Sequence, residues 1–295
     1  MMNMRDLKVS DFIGKDFGST TILSEIGRGA MGVVFLGFQK TLKRRVAVKM
    51  LPKAQKGAHD PAGLFRDEAE TVAVLSHPNI VPVYDMGETD DCYYLVMQCI
   101  EGENLRTIIK RRLNHPVPSK RVLPQSETIA VAGAMLDALG YAHDEGIIHQ
   151  DVKPANIIID DRNHRPYLTD FGVARVLAAE YRSEGSVVGS ALYMSPEQSR
   201  GLDTDGRSDI YSLGVILFEM AAGTLPLAPE NPGDILICKQ EQPDNFFTRT
   251  PRQVAPQISG QLEQVILKAT APDRDRRYAD CRSFRTDLNA CPSTP

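Results

Sequence analysis

The sequence predicts an α+β chain of two lobes, a small β-rich lobe with one key helix followed by a larger and mostly helical one. Three observations carry this. The first hundred residues alternate β-branched and aromatic segments with glycine-rich or basic turns, as in TILSEI, VVFLGF and RRVAVKML. After Gly102 the apolar residues recur at helical spacing. No internal repeat or low-complexity linker interrupts the 295 residues, a length that suits one large domain or two lobes with their own cores. The change of pattern puts the boundary near Gln98–Gly102.

The elements follow in order. Strands cover the three segments just quoted. Asp60 as N-cap and Pro61 in the first turn predict a helix to Ser76, closed by His77-Pro78. Two short strands follow near Ile80–Met86 and Tyr93–Gln98. Ile129, Ala132, Gly133, Leu136, Leu139 and His143 mark a helix that Gly146 stops in the left-handed region. A β segment covers Ile157–Asp160 and Tyr167–Asp170 across a DRNH turn. The apolar run Ile210–Leu227 contains Glu219 and two glycines, which fits a buried helix better than a bilayer span.

Composition narrows the function. The chain is 42% hydrophobic, 24% charged and carries a net charge of −4, so a general nucleic-acid role has no electrostatic support. The five cysteines are scattered without metal-ligand spacing, which fits reduced thiols in a cytosolic compartment. The start MMNMRDLKVSDF reads as too polar for a signal peptide.

Glycines at 27, 29 and 32 form a GxGxxG. A dinucleotide fold would need a helix to begin there, and a Walker loop would need Gly-Lys-Ser/Thr. The β-branched VVFLGF that follows makes the element a strand–turn–strand flap, whose glycines let backbone approach phosphate oxygens. Lys49, on the strand after the flap, shares a face with Ala47. Glu68 falls between Leu64 and Val72 on the apolar stripe of the predicted helix. A carboxylate placed there needs a cation, and Lys49 is the natural partner. In HQDVKPANII at 149–158, the polar groups His149, Asp151, Lys153 and Asn156 crowd into eight positions.

Taken in order, GRGAMGVV, VAVK, Glu68 before HPNIV, HQDVKPANI, DFG at 170–172, SPEQ at 195–198 and RSDIYSLGVILFEM resemble the protein kinase superfamily, specifically the eukaryotic-like bacterial serine/threonine kinases. The resemblance runs from about Phe17 to Leu288. It implies the two-lobed protein kinase fold over residues 17–290, with a small lobe 17–98, a hinge 98–102 and a large lobe 103–290. Residues 1–16 are then an N-terminal extension and 291–295 a tail.

The implied activity is transfer of the γ-phosphoryl group of ATP to serine and threonine hydroxyls of proteins, autophosphorylation included. The cofactors are ATP and Mg²⁺, with Mn²⁺ as an alternative. Asp151 would orient the hydroxyl and accept its proton, and Lys153 would steady the moving phosphoryl group. Lys49, aimed by Glu68, would hold the α- and β-phosphates. Asn156 and Asp170 would take the metal. Ile26, Gly27, Arg28, Gly29, Ala30, Met31, Gly32, Val33 and Val34 would cover the nucleotide. The base would lie against Val34 and Ala47, with Met97 at the gatekeeper position, and would pair with the backbone of the hinge residues Gln98, Cys99 and Ile100. Asp209 resembles the buried aspartate that accepts hydrogen bonds from the catalytic-loop backbone, and Glu197 with Arg277 the ion pair that holds the end of the activation segment.

Some positions depart from the pattern. Gln150 stands where an arginine usually binds a phosphorylated activation-segment residue, and a neutral amide cannot make that charge-assisted bond. Ser190 replaces a usual threonine, and the basic stretch Lys110–Glu127 looks long, which fits a solvated insertion better than a docking surface for an acidic partner. A catalytically dead scaffold would normally have lost Lys49, Asp151 or Asp170, and all are kept. A small-molecule kinase would have rebuilt Ser190–Glu197, which looks instead like a peptide-docking loop. The resemblance also implies protein partners, a homodimer through the small lobe as an option, no membrane contact within this chain, and a cytoplasmic location, with the chain standing as the cytosolic domain of a longer membrane-anchored protein as a variant of that reading.

Overall fold

The computed structural model describes residues 9–29, 32–53, 73–117, 120–171, 191–229, 231 and 233–292. The expected helix with Glu68, the tip residues Ala30 and Met31, and the stretch from Gly172 to Ser190 lie outside them. Two compact units form, and along the chain the first ends at Glu101 and the second begins at Gly102.

The small unit is a six-stranded sheet of β1 (Asp16–Phe17), β2 (Thr20–Gly29), β3 (Gly32–Gln39), β4 (Arg44–Pro52), β5 (Val83–Glu88) and β6 (Cys92–Gln98), in the order β1-β2-β3-β4-β6-β5. Every described pairing is antiparallel. Period-two alternation sorts the side chains of β4 onto two faces. Val46, Val48 and Met50 join Val33, Phe35, Ile22, Tyr94 and Val96 in one core. Ala47, Lys49 and Leu51 are turned the other way and are buried as well. Burial on both faces explains why this strand reads as a nearly continuous apolar run rather than an alternating one.

The expected strand Ile80–Met86 shifts to Val83–Glu88. Ile80, with Pro78 and Pro82 around it, makes only an isolated bridge, because proline cannot donate to a ladder. The sequence also hid a role for the chain start. Phe12 is 8% exposed and packs in the same core, its ring centroid 5.8 Å from Phe35 and 6.1 Å from Phe17.

In the large unit a three-stranded sheet of β7 (Gly102–Asn104), β8 (Ile157–Asp160) and β9 (Pro166–Leu168) accompanies the helices. These are α1 (Leu105–Leu113), α2 (Gln125–Asp144), α3 (Pro196–Ser199), α4 (Gly206–Ala222), α5 (Asp234–Glu241), α6 (Pro251–Val254), α7 (Gly260–Ala269) and α8 (Cys281–Asn289). Helix α2 ends at Asp144 with Glu145 as its C-cap, and the expected Gly146 follows with φ +77°. The apolar helix α4 starts four residues earlier than its apolar run, because the Asp205 side chain caps it by accepting from the Arg207 N–H at 2.9 Å. It stops at Ala222 because Gly223 takes φ +77°, so the residues to Leu227 leave the helix. Among the described residues no helix is long and apolar enough to cross a membrane. All five cysteines are free thiols.

Replacing Phe12 by alanine is expected to lower stability by about 3 kcal/mol, the usual cost of deleting a core phenylalanine. Urea unfolding of parent and variant measures this, and an unchanged midpoint would remove the chain start from the core.

Candidate active site

In the small unit, strand register brings several of the expected residues onto one face. Val34 pairs directly with Lys49, Leu36 with Ala47, and on the far side Lys49 meets Leu95 and Ala47 meets Met97. Directly opposed residues share a face, so Val34, Ala47, Lys49 and Met97 lie together, opposite the core described above. Lys49 is 4% exposed. Its expected pairing with Glu68 falls outside the described residues.

The glycines differ in purpose. A Cβ on Gly27 would meet nothing within 4 Å, so the backbone there is open to a ligand. A Cβ on Gly32 would lie 2.2 Å from the Met50 carbonyl oxygen, so strand packing requires that glycine. Val33, expected at the nucleotide, has its side chain in the core on the opposite face. Ile26 is exposed, and Arg28 forms an ion pair with Glu25 at 3.1 Å. Gln98 donates its N–H to Pro82 at 2.9 Å, which leaves any donor role toward a base to Cys99 or Ile100.

The large unit gathers the other group. Lys153 Nζ donates to Asp151 Oδ2 at 2.6 Å. Asn156 Nδ2 donates to the Asp151 carbonyl at 2.9 Å and to Asp151 Oδ2 at 3.2 Å. Because the amide nitrogen is engaged this way, the Asn156 amide oxygen is turned from Asp151 and suits a hard cation. Asn156 also accepts, through its carbonyl, the N–H of Thr169 at 2.9 Å, which brings the residue before Asp170 beside it. Asp170 itself has φ +65°, a sparsely populated region for a residue with a Cβ.

His149 locks the loop. The Asp151 N–H donates to its Nδ1 at 3.2 Å, so Nε2 carries the proton that goes to the Thr169 carbonyl at 3.0 Å. Its fully buried ring packs on Phe171 with centroids 4.5 Å apart. Beneath lies Asp209, fully buried in the first turn of α4. Its Oδ2 accepts the His149 N–H at 2.9 Å and its Oδ1 the Gln150 N–H at 2.8 Å, while His143 Nε2 stands 2.8 Å from Oδ2. Gln150 has φ +64°, and this pair of bonds holds it there. The Gln150 side chain donates to Thr204 Oγ1 at 3.1 Å, a partner that sequence reasoning missed because 54 positions separate the two.

Glu197 and Arg277 form the expected ion pair, with two parallel bonds of 2.7 and 2.9 Å, and Ser208 Oγ adds a third at 2.7 Å. Burial pushes the Glu197 pKa up, but the hydrogen bonds and charge of Arg277 outweigh it and bring the carboxyl down to about 2. Gln198 bridges two segments, accepting the Ser195 N–H at 2.9 Å and donating to the Gln150 carbonyl at 2.9 Å.

A β-rich unit with a buried strand lysine, and a helical unit with a carboxylate–lysine–amide cluster on a loop anchored from a buried aspartate, define a phosphoryl-transfer class of protein. The chain belongs to the protein kinase domain family, whose model matches residues 20–286. Serine/threonine-protein kinase PrkC of Bacillus subtilis is 38% identical over 278 residues, 94% of this chain and 41% of its own. Serine/threonine-protein kinase PknB of Mycolicibacterium smegmatis is 39% identical over 272 residues, 89% of this chain and 41% of its own. The chain thus spans about two fifths of the length of these relatives. The crystal structure of the Mycobacterium tuberculosis PknI kinase domain superposes with a TM-score of 0.70 at 28% identity, covering 94% of this chain and 97% of that one.

The depressed Glu197 pKa makes a pH prediction. A carboxyl whose folded pKa of about 2 lies under its ordinary 4.5 adds stability that is complete above pH 4.5 and is lost as pH falls toward 2. The parent should therefore lose stability more steeply across that window than Glu197→Gln, which should itself be about 3–5 kcal/mol weaker at neutral pH for leaving Arg277 unpaired. Equal slopes in acid titrations of parent and variant would contradict the assignment.

Proposed function

We propose that this chain transfers the γ-phosphoryl group of ATP to serine and threonine hydroxyls of proteins, its own included. The observation that carries the reading is the Asp151 cluster: one carboxylate held between Lys153 and Asn156, on a loop fixed from below by Asp209. Phosphoryl transfer asks little covalent chemistry of a protein, so charge fixed in position supplies most of the rate.

Each role follows from what the group can do. Asp151 orients the acceptor hydroxyl and takes its proton. Lys153, already bonded to that carboxylate, carries positive charge to where the phosphoryl oxygens gather negative charge. Lys49 holds the nucleotide's α- and β-phosphates, with Glu68 as the carboxylate that aims it. Gly27 offers open backbone beside those phosphates. Val34, Ala47 and Met97 form the apolar face for the base. Asn156 and Asp170 would hold Mg²⁺ or Mn²⁺, which neutralises phosphate charge when bound.

The proposed location is the cytoplasm, with the cytosolic domain of a longer membrane-anchored protein as its variant. Relatives more than twice the length of this chain agree with a longer protein and say nothing of a membrane. The five free thiols agree with a reducing compartment. Pairing of two copies through the small unit also belongs to this proposal.

Gln150 stands where the family pattern places an arginine that holds a phosphorylated activation-segment residue. Its amide is engaged with Thr204, and a neutral amide makes a poor phosphate clamp. Phosphatase treatment should leave most of the activity in place, whereas a loss of about a hundredfold, the size of a missing transition-state contact, would refute this. Asp151→Asn should cut turnover by roughly 10²–10⁴-fold while ATP binding persists. Labelled-ATP transfer to casein reads the first effect and nucleotide titration the second. An Asp151→Asn enzyme as fast as the parent would overturn the reading.

A further inference from the structure

Helix α5 carries a lysine whose environment no surface role explains. Lys239 is fully buried, flanked by the Phe246 ring at 4.4 Å and the Tyr211 ring at 5.0 Å. Its Nζ donates to two backbone carbonyls, Leu192 at 2.6 Å and Met194 at 2.5 Å. Among the described residues no carboxylate pairs with it. A long flexible side chain that gives up water for two carbonyls of one short segment is fixing that segment.

The bond pattern gives the reason. Carbonyls of residues 192 and 194 both turn toward Lys239, while the Tyr193 carbonyl between them turns toward α4 and accepts from Ser212 Oγ at 2.8 Å. The Tyr193 hydroxyl donates to Glu219 at 2.6 Å. Ala191 packs with Ile235 of α5 and with Phe246. Three consecutive residues are thus pinned from two helices. The segment runs straight into Ser195, whose N–H is held by Gln198, and Gln198 in turn holds the Gln150 carbonyl next to Asp151. A continuous set of hydrogen bonds therefore joins the Lys239 clamp to the loop of the proposed catalytic base.

We propose that Lys239 is a positioning residue for the acceptor protein: it sets the backbone of Leu192–Met194 so that an incoming peptide lies with its hydroxyl against Asp151. The inference rests on the kinase reading and deepens it by naming what shapes the acceptor side of the same site. Lys239 touches neither nucleotide nor acceptor and acts through the two carbonyls. Sequence gives no hint of this, since one lysine near a helix end reads as an ordinary solvated cation.

The test compares the parent with Lys239→Met, which keeps the length but removes the donors, and Lys239→Gln, a neutral side chain with two N–H donors. Steady-state kinetics are taken separately for casein and for ATP. For Lys239→Met, kcat/KM for casein should fall by roughly tenfold or more, mostly through KM, because two buried acceptors lose their donor. The KM for ATP should stay within about twofold, and Lys239→Gln should recover most of the loss, a split that general destabilisation would not give. Unchanged casein kinetics, or equal damage to casein and ATP parameters in both variants, would overturn the proposal. If Lys239→Met does not fold by circular dichroism, Ser212→Ala, which frees the Tyr193 carbonyl of the same segment, must give the selective casein defect, and its absence overturns the proposal equally. A parent that phosphorylates nothing would sink the kinase reading, whereas an active parent with an indifferent Lys239→Met sinks this inference alone.

Discussion

The buried carboxylate of Asp209 is the interaction on which the large unit's site rests. Taking a carboxylate out of water costs on the order of several kcal/mol unless hydrogen bonds replace the lost hydration. Here the N–H groups of His149 and Gln150 and the ring of His143 do so, and the first turn of α4 adds the favourable end of a helix dipole. In return the loop is held with Gln150 at a positive φ, a conformation an unsupported glutamine would leave. Asp151, Lys153 and Asn156 then follow at fixed spacing and bond to one another.

Around that anchor the large unit repeats one device, a buried polar group satisfied by backbone carbonyls or by one or two side-chain partners. Glu197 with Arg277 ties α3 to the chain before α8, and Ser208 brings α4 into the same cluster. Lys239 does the equivalent for the segment preceding α3. Such groups are poor sources of net stability compared with apolar packing, yet they tolerate few alternative geometries. Concentrating them around residues 192–198 and the Asp151 loop suits the proposed site, whose chemistry would depend on placement.

Much of this was legible in the sequence because it is local. β-Branched and aromatic segments bounded by turns marked β2, β3, β4 and β6. The ordered motifs singled out Lys49, Asp151, Lys153, Asn156, Asp170 and Asp209 as expectations, of which Asp151, Lys153, Asn156 and Asp209 meet in one hydrogen-bonded loop. What stayed hidden depends on distant contacts. Phe12 reads as a stray aromatic in a polar start, and only the sheet face it covers makes it core. Val33 and Val34 are indistinguishable as letters, but register sends one into the core and the other beside Lys49. The partner of Gln150 lies 54 positions away. The apolar run Ile210–Leu227 suggested a helix of that extent, whereas Asp205 and Gly223, one capping and one left-handed, decided its true ends.

The central claim is that a buried Asp209 holds the loop of the proposed catalytic base in shape. Amide hydrogen exchange at His149 and Gln150, read by NMR in the parent and in Asp209→Asn, tests it most directly. The account predicts strong protection of both amides in the parent, with protection lost in the variant while α2 and α4 stay protected and phosphotransfer falls. Equal protection at both amides in parent and variant, with phosphotransfer intact, would contradict it.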